Sequence, residues 1–274
     1  MLHGKVLWVA YPHAEILNID TTEAQKHPGV VAVLTAKDVP GRSGFGSLKP
    51  NQPVLCRDRV RYLGGPVAFV VANTPEAAAA TLKLIKVDYK PLPGIYSPEV
   101  GLKQDAILLY LEGNICKHLV HEVGNIDEVK PEAYVVVTGH FETPFVEHGY
   151  LEPEAGIGLI DENGVLTVYA PTQFPFEVRK QLPEVFNMPE DKVRVIVTPL
   201  GGAFGSKCDA TVEFLVALGA YCTKRPVKLT LSRQESMRMS TKRHPYSMDY
   251  EVGATKDGKL LYVDAKLLVR CRSL

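Results

Sequence analysis

Hydrophobic and polar residues follow one another along this 274-residue chain in patterns that predict strands and helices in turn. Apolar runs and period-two alternation predict strands, because neighbouring side chains on a strand point to opposite faces. The predicted strands cover residues 5–10, 30–34, 67–72, 86–90, 133–143, 156–160, 165–170, 193–197, 226–231, 246–255 and 260–269. The helical patterns cover residues 22–26, a segment that opens at 74, 176–186 and 211–221.

Two glycine-containing turns lie between consecutive strands in the second half of the chain. They are the segments DENG at 161–164 and KDGK at 256–259. Such turns join strands into hairpins, which places the strands side by side in a sheet. Hairpin-linked strands with helices between them indicate an α+β fold and not a doubly wound parallel sheet.

One stretch in the middle of the chain has poor periodicity and several helix- and strand-breaking residues. Pro98, Gly101, Gly113 and Gly124 interrupt it. We therefore predict a connector over residues 96–124, which separates a compact unit at 1–95 from a second unit at 125–274.

The charge balance excludes several classes of function. The chain has 31 basic and 31 acidic residues, so its formal net charge is zero. A general basic field for nucleic acid, or a polybasic surface for membranes, is therefore not expected. The sequence also lacks an apolar run of the ~18 residues that suggests a membrane span, and Lys5 interrupts the apolar start.

The cysteines argue against a disulfide framework and against a cysteine-rich metal or iron–sulfur site. Their number is odd, they are widely spaced and none forms a CxxC pair. They are Cys56, Cys116, Cys208, Cys222 and Cys271. We expect a reducing, cytoplasmic location.

The segment PLGGAFGSK at 199–207 is the most informative local motif, since it has three glycines within five residues between a strand and a helical pattern. Such a loop can approach a ligand closely and offer backbone N–H groups to an anionic or oxo-rich group. It matches neither a Walker loop nor GxGxxG, and a simple tight connection is the alternative. Cys208 follows it near a helical start, where a thiol pKa can fall, although a buried inert thiol is the alternative.

Other polar candidates carry less information by themselves. Glu147, His148 and Glu152 form an acid/histidine group without metal-ligand spacing, for which structural hydrogen bonding is the simpler interpretation. We expect His244 to be solvated or to act as a cap. Gln173 has a neutral amide that could bond a ligand oxo group.

The combination of motifs, in order along nearly the whole chain, resembles the xanthine dehydrogenase/aldehyde oxidase family. Its first part resembles the family's hammerhead-like α/β domain, and its second part resembles the molybdopterin-binding domain of the large subunit. The motifs of the first part are LHGKVL (2–7), YPHA (11–14), PGVVAVLTAKD (28–38) and RVRYLGGPVA (59–68). Those of the second part are FETPFVEHGYLEPE (141–154), TQ (172–173), GGAFGSK (201–207) and KRHP (242–245).

This resemblance implies a molybdenum hydroxylase, which oxidises an aldehyde or an N-heterocycle with oxygen from water. The cofactor is a molybdenum–pterin, and electrons leave through iron–sulfur clusters to FAD on partner subunits or domains. By motif, Gln173 would bond an oxo group of the cofactor. Residues Gly201, Gly202, Ala203, Phe204 and Gly205 would approach the cofactor through their backbone. No protein side chain is expected to ligate the metal.

Two departures from the family matter. Cys208 stands where purine-oxidising members often have a substrate-binding glutamate, so it is the substrate-side candidate and a purine is disfavoured. The family's subunit is also several hundred residues longer, and its general-base glutamate lies in the missing C-terminal part. We therefore expect an N-terminal fragment that has no catalytic residue of its own, is inactive alone, does not retain the cofactor and self-associates.

The last residues, RCRSL at 270–274, break the family pattern abruptly. A single-base insertion ahead of codons for a family-like DAGAYS would read as RCRSL followed by a stop. The sequence thus predicts a frameshift, for which an engineered end is the rival explanation, and a poorly ordered tail. The alternative to an enzyme component is accordingly a non-catalytic folded remnant of a frameshifted or split gene, with at most ligand-binding ability.

Overall fold

A computed structural model describes residues 1–47 and 49–270 of the protein. The strands in these residues are β1 (Leu2–Trp8), β2 (Ala14–Asp20), β3 (Val30–Leu34), β4 (Gly44–Phe45), β5 (Gln52–Pro53), β6 (Arg59–Val60), β7 (Pro66–Ala72), β8 (Lys86–Pro91), β9 (Val135–Thr143), β10 (Ala155–Ile160), β11 (Leu166–Ala170), β12 (Val193–Val197), β13 (Val227–Thr230), β14 (Tyr246–Ala254) and β15 (Leu260–Val269). The α-helices are α1 (Thr22–Lys26), α2 (Pro75–Leu82), α3 (Pro98–Gly101), α4 (Ile126–Val129), α5 (Pro175–Phe186), α6 (Glu213–Thr223) and α7 (Arg233–Met239). Short 3₁₀ turns cover Ala36–Asp38, Lys130–Glu132, Glu190–Lys192 and Ser206–Cys208.

The predicted mixture of helices and strands is confirmed, and several elements have the predicted bounds. Strands β3, β12 and β15 and helix α1 coincide with the predicted segments. Helix α2 begins as its sequence predicts, because the Thr74 side chain accepts a hydrogen bond from the Ala77 amide at 3.1 Å and Pro75 takes the first helical position.

The chain forms two compact units that interleave along the sequence. Of the described residues, unit 1 consists of Met1–Gly94 and Glu147–Thr241, and unit 2 consists of Ile95–Val146 and residues 242–270. This differs from the contiguous division that the breaker-rich connector predicts. The reason is strand pairing, since β1 pairs in parallel with β13 through Leu2 and Val227 and so draws distant segments into one sheet.

A seven-stranded mixed sheet organises unit 1, in the order β12-β11-β10-β13-β1-β7-β3. Strand β7 lies near one end, and all seven of its residues are buried. The segment DENG joins β10 to β11 as an antiparallel hairpin, as predicted. Strand β12 instead pairs in parallel with β11, which requires the crossover that helix α5 supplies.

Helix α6 packs so closely on β10 that one strand position requires glycine. A Cβ atom built on Gly158 would lie 2.3 Å from the carbonyl oxygen of Val216 in the helix. Phe214 on the same helix stacks on Phe45, with ring centroids 4.2 Å apart. This packing fixes α6 against the sheet of unit 1, from which the glycine-rich loop extends.

The sheet of unit 2 has three antiparallel strands in the order β15-β14-β9, and one of its faces is apolar. Val137 lies opposite Val252, which lies opposite Val263, and Phe141 lies in the same way beside Met248 and Leu267. Val137 is 61% exposed and Phe141 is 57% exposed. The alternate residues form a polar face, because successive strand residues point to opposite sides.

None of the helices in the described part of the chain has the length and apolar character needed to cross a membrane.

Candidate functional site

The glycine-rich loop follows β12 in unit 1 and has a backbone that most residue types would not adopt. Gly202 and Gly205 have φ angles of +99° and +96°, and Phe204 between them has +53°. Positive φ is costly for residues with a Cβ, which explains glycine at positions 202 and 205. The Phe204 side chain is 74% exposed, so the loop turns its aromatic ring outward.

Backbone amides of the loop divide into paired and unpaired groups. The Gly201 amide donates to Glu152 Oε2 at 2.9 Å, and the Gly205 amide donates to Gln173 Oε1 at 3.2 Å. Between them, the amides of Gly202, Ala203 and Phe204 have no acceptor among the described residues. Three consecutive N–H groups without an acceptor in the described residues are free to donate to an oxo or phosphate group or to water.

The Gln173 side chain is oriented by this loop. Its Oε1 atom accepts the Gly205 amide, and Cys208 Sγ approaches the same oxygen at 3.7 Å. The Nε2 atom therefore remains as a donor with no partner in the described residues. The Gln173 amide itself donates to the carbonyl of Lys207 at 2.8 Å, which ties this residue to the end of the loop.

Cys208 does not have the lowered pKa that its position near a helical start can produce. Burial raises the pKa of its thiol, and the charge of Asp209 adds to the effect. The thiol is therefore neutral near pH 7 and serves as a weak donor to Gln173.

Sequence reasoning missed the importance of Lys207 and gave Glu152 only a structural role. Lys207 is 4% exposed, and its Nζ atom lies 2.7 Å from Glu152 Oε2. Burial opposes ionisation of Glu152, but the hydrogen bonds from Lys207 and from the Gly201 amide outweigh it and lower its pKa. The two residues are 55 positions apart, so no spacing rule could have paired them.

The ring of Tyr150 extends this polar group beneath the loop. Lys207 Nζ lies 4.8 Å from its centroid, and the Tyr150 hydroxyl donates to the buried carboxylate of Glu154. Burial and this bond raise the pKa of Tyr150 to about 12. The phenol therefore stays neutral at physiological pH.

The acid and histidine candidates have different environments in the structure. Glu147 accepts the Gly149 amide, whereas Glu152 bonds the loop. His148 has a buried Nδ1 atom without a hydrogen-bond partner in the described residues. His244 is half-buried, and its Nδ1 atom likewise has no hydrogen-bond partner in the described residues. That it is solvated or acts as a cap stays a prediction. The described residues contain no group of three or more His, Cys, Asp or Glu side chains that could hold a metal ion.

Arg270 is the only residue of the unusual C-terminal segment that lies within the described residues. Its amide donates to Pro245, and its guanidinium donates to the Tyr96 carbonyl at 2.9 Å. The other four residues of RCRSL lie outside the described part of the chain.

Comparisons with known families cover almost the whole chain. The profile of the aldehyde oxidase and xanthine dehydrogenase a/b hammerhead domain matches residues 1–93. The profile of the molybdopterin cofactor-binding domain matches residues 110–271.

Similar proteins are longer than this chain. A probable xanthine dehydrogenase subunit of Bacillus subtilis (strain 168) is 43% identical over 268 residues, which is 98% of this chain and 36% of the relative. The nicotinate dehydrogenase large molybdopterin subunit of Eubacterium barkeri is 38% identical over 97% of this chain and 63% of its own length. Among solved structures, the aldehyde oxidoreductase of Desulfovibrio gigas superposes with a TM-score of 0.90 at 28% identity, over 98% of this chain and 31% of that protein. The chain thus spans less than two thirds of each of these proteins.

Proposed function

Because this chain belongs to the aldehyde oxidase and xanthine dehydrogenase family, we propose that it supplies the N-terminal part of a molybdenum hydroxylase subunit. Residues 1–95 are the hammerhead segment, residues 96–124 the connector and residues 125–274 the first part of the molybdopterin-binding segment. The observation that carries this proposal is the run of three unpaired loop amides beside the oriented amide of Gln173.

These residues fit an oxygen-rich molybdenum–pterin cofactor. The cofactor, when bound, supplies the oxidation of an electron-poor carbon with oxygen from water. Gln173 donates from Nε2 to an oxo group, because its oxygen is already occupied by Gly205. The amides of Gly202, Ala203 and Phe204 donate to further acceptors of the cofactor, and Gly201 and Gly205 hold the two ends of the run.

The substrate class follows from Cys208. We propose an aldehyde or an N-heterocycle other than a purine, since this neutral thiol cannot provide the carboxylate with which purine-oxidising members often bind substrate. The thiol instead lies against the side-chain oxygen of Gln173.

The proposed enzyme needs other polypeptides. Iron–sulfur and FAD subunits receive the electrons, and the C-terminal part of the subunit supplies the general-base glutamate and the rest of the cofactor envelope. Absence of a general base costs about 10²–10⁴-fold in rate, so the chain alone is expected to show no turnover and to retain no cofactor. We place the assembly in the cytoplasm, which is supported by the free thiols of Cys56, Cys116, Cys208 and Cys222.

Co-expression tests this function. The chain is produced alone and together with the C-terminal part of the Bacillus subtilis relative, and bound molybdenum is measured by elemental analysis. Molybdenum is expected only in the complemented protein. The Gln173→Glu variant, which keeps the shape but loses the Nε2 donor, is expected to lose at least about tenfold in retained metal.

Gln25→Glu is the matched control, since Gln25 bonds only its neighbour Thr21 on the exposed helix α1. Equal molybdenum in the Gln173→Glu and Gln25→Glu variants would refute the assignment of Gln173. Failure of any complementing segment to restore metal binding would favour the non-catalytic remnant.

A further inference from the structure

Glu152 joins the two ends of the glycine-rich loop. Its Oε2 atom accepts both the Gly201 amide at 2.9 Å and Lys207 Nζ at 2.7 Å. The backbone of Glu152 takes part as well. The Glu152 amide donates to the Gly201 carbonyl at 3.1 Å, and the Glu152 carbonyl accepts from Lys207 Nζ at 3.1 Å. We call this set of four bonds the Glu152 clasp.

The Glu152 clasp is closely packed at both of its ends. Lys207 is almost completely buried, so its ammonium group depends for compensation on Glu152 Oε2, the Glu152 backbone carbonyl and the ring of Tyr150. At the other end, a Cβ atom on Gly201 would lie 2.6 Å from the Cβ of Glu152. The loop backbone and the Cβ atom of Glu152 therefore approach to a distance that only glycine allows.

The residue at the far end of the clasp also holds the segment with Gln173. The Lys207 carbonyl accepts the Gln173 amide at 2.8 Å and the Thr172 hydroxyl at 3.3 Å. A displacement of Lys207 would thus shift Gln173 relative to Gly205 and weaken the bond from the Gly205 amide to Gln173 Oε1.

We propose that Glu152 is a positioning residue, which fixes the loop amides of residues 202–204 and the donor of Gln173 in one arrangement before any ligand binds. The purpose of this arrangement rests on the proposed function. Its existence does not, because it resides in the cofactor-free chain and can be measured there.

Amide hydrogen exchange of the cofactor-free chain tests the clasp. The informative amides are those of Gly205 and Ser206, which bond Gln173 and Ala203 and do not contact Glu152. In the double variant Glu152→Leu/Lys207→Met, no buried charge is left unpaired, so the urea midpoint of unit 1 is expected to stay near that of the wild type. Exchange at Gly205 and Ser206 is nevertheless expected to be about ten- to hundredfold faster.

A merely structural role would lower the urea midpoint and speed the exchange of core amides in the same proportion, and that result overturns the proposal. Exchange rates at Gly205 and Ser206 of the double variant that equal those of the wild type overturn the proposal too. If the double variant does not fold, Glu152→Gln carries the test. The neutral amide oxygen of glutamine accepts from Lys207 and Gly201 more weakly than the carboxylate and leaves the buried ammonium group without a counter-charge, so faster exchange at Gly205 is expected and unchanged exchange contradicts the clasp.

Glu23→Gln is the control, because Glu23 forms an exposed ion pair with Lys26 at 2.8 Å, a distance close to that of the Glu152–Lys207 pair. It is expected to leave loop exchange unchanged. Amide exchange of the cofactor-free chain tests the clasp, whereas molybdenum retention of the complemented protein tests the proposed function. The failure of one proposal can therefore be distinguished from the failure of the other.

Discussion

The glycines of the loop differ in the atoms that an added methyl group would contact. Alanine substitutions should therefore separate the cost of backbone strain from the cost of steric contact. Gly205 has a positive φ of +96°, but a Cβ there would have no heavy atom within 4 Å. Gly202 combines a φ of +99° with a Cβ position 3.0 Å from the Cβ of Tyr150. Gly201 lies outside the positive-φ region and has only the 2.6 Å contact with Glu152.

These differences predict three magnitudes. Gly205→Ala is expected to cost about 1–2 kcal/mol of unfolding free energy, from backbone strain alone. Gly202→Ala adds a mild steric contact and is expected to cost about 2–3 kcal/mol. Gly201→Ala is expected to cost about 1–3 kcal/mol through overpacking, and it alone should displace Glu152 and speed the exchange of the Gly205 amide.

Urea unfolding followed by the fluorescence of Trp8 provides the assay, because Trp8 is the single tryptophan of the sequence and lies on β1 in unit 1. Equal losses for Gly205→Ala and Gly202→Ala would refute the steric part of the reasoning. A neutral Gly201→Ala variant with wild-type loop exchange would refute the close approach of Glu152.

Two further predictions concern pH and association. Burial opposes the ionisation of Glu152, but its hydrogen bonds to Lys207 and Gly201 outweigh burial and lower the pKa of Glu152 below its ordinary value. The stabilisation of the folded state by the ionised Glu152 is therefore present above the ordinary pKa and is lost as the pH falls through the lowered pKa. The stability difference between wild type and Glu152→Gln, measured by urea unfolding from pH 7 to pH 3, should therefore shrink towards acid, whereas a constant difference would contradict it. The apolar face of the unit 2 sheet should cause self-association, which Val137→Lys weakens and Thr138→Lys on the polar face does not. Light scattering over a concentration series checks this, and a wild-type monomer at high concentration would count against it.

The elements that could be predicted are those whose signal is local. Strand β12 and helix α2 follow from an apolar run and from a Thr-Pro start, and both lie where these signals place them. Strand β2 is not predicted, because apolar and polar residues do not alternate regularly in AEILNID. Helix α7 is not predicted either, although Ser232 and Glu235 form a capping box that the sequence contains.

The site divides in the same way. Gln173 and the glycines are recognisable because each lies in a short contiguous family motif, TQ and GGAFGSK, and their assignment to the cofactor stays a prediction. The contact between Glu152 and Lys207 depends on how β10 and the loop after β12 are brought together by the sheet. Long-range pairing of this kind also joins β1 to β13, and composition or periodicity does not encode it.

The pairing of β1 with β13 has a consequence for synthesis on the ribosome. Strand β1 can pair with β7 soon after residue 72 emerges, but its other edge stays open until Val227 has been made. At about 5–20 residues per second, this interval is roughly 10–30 s. During that time the nascent chain carries an unsatisfied strand edge of the kind that recruits other chains. Chaperone dependence during translation should therefore be concentrated in the interval before β13 appears.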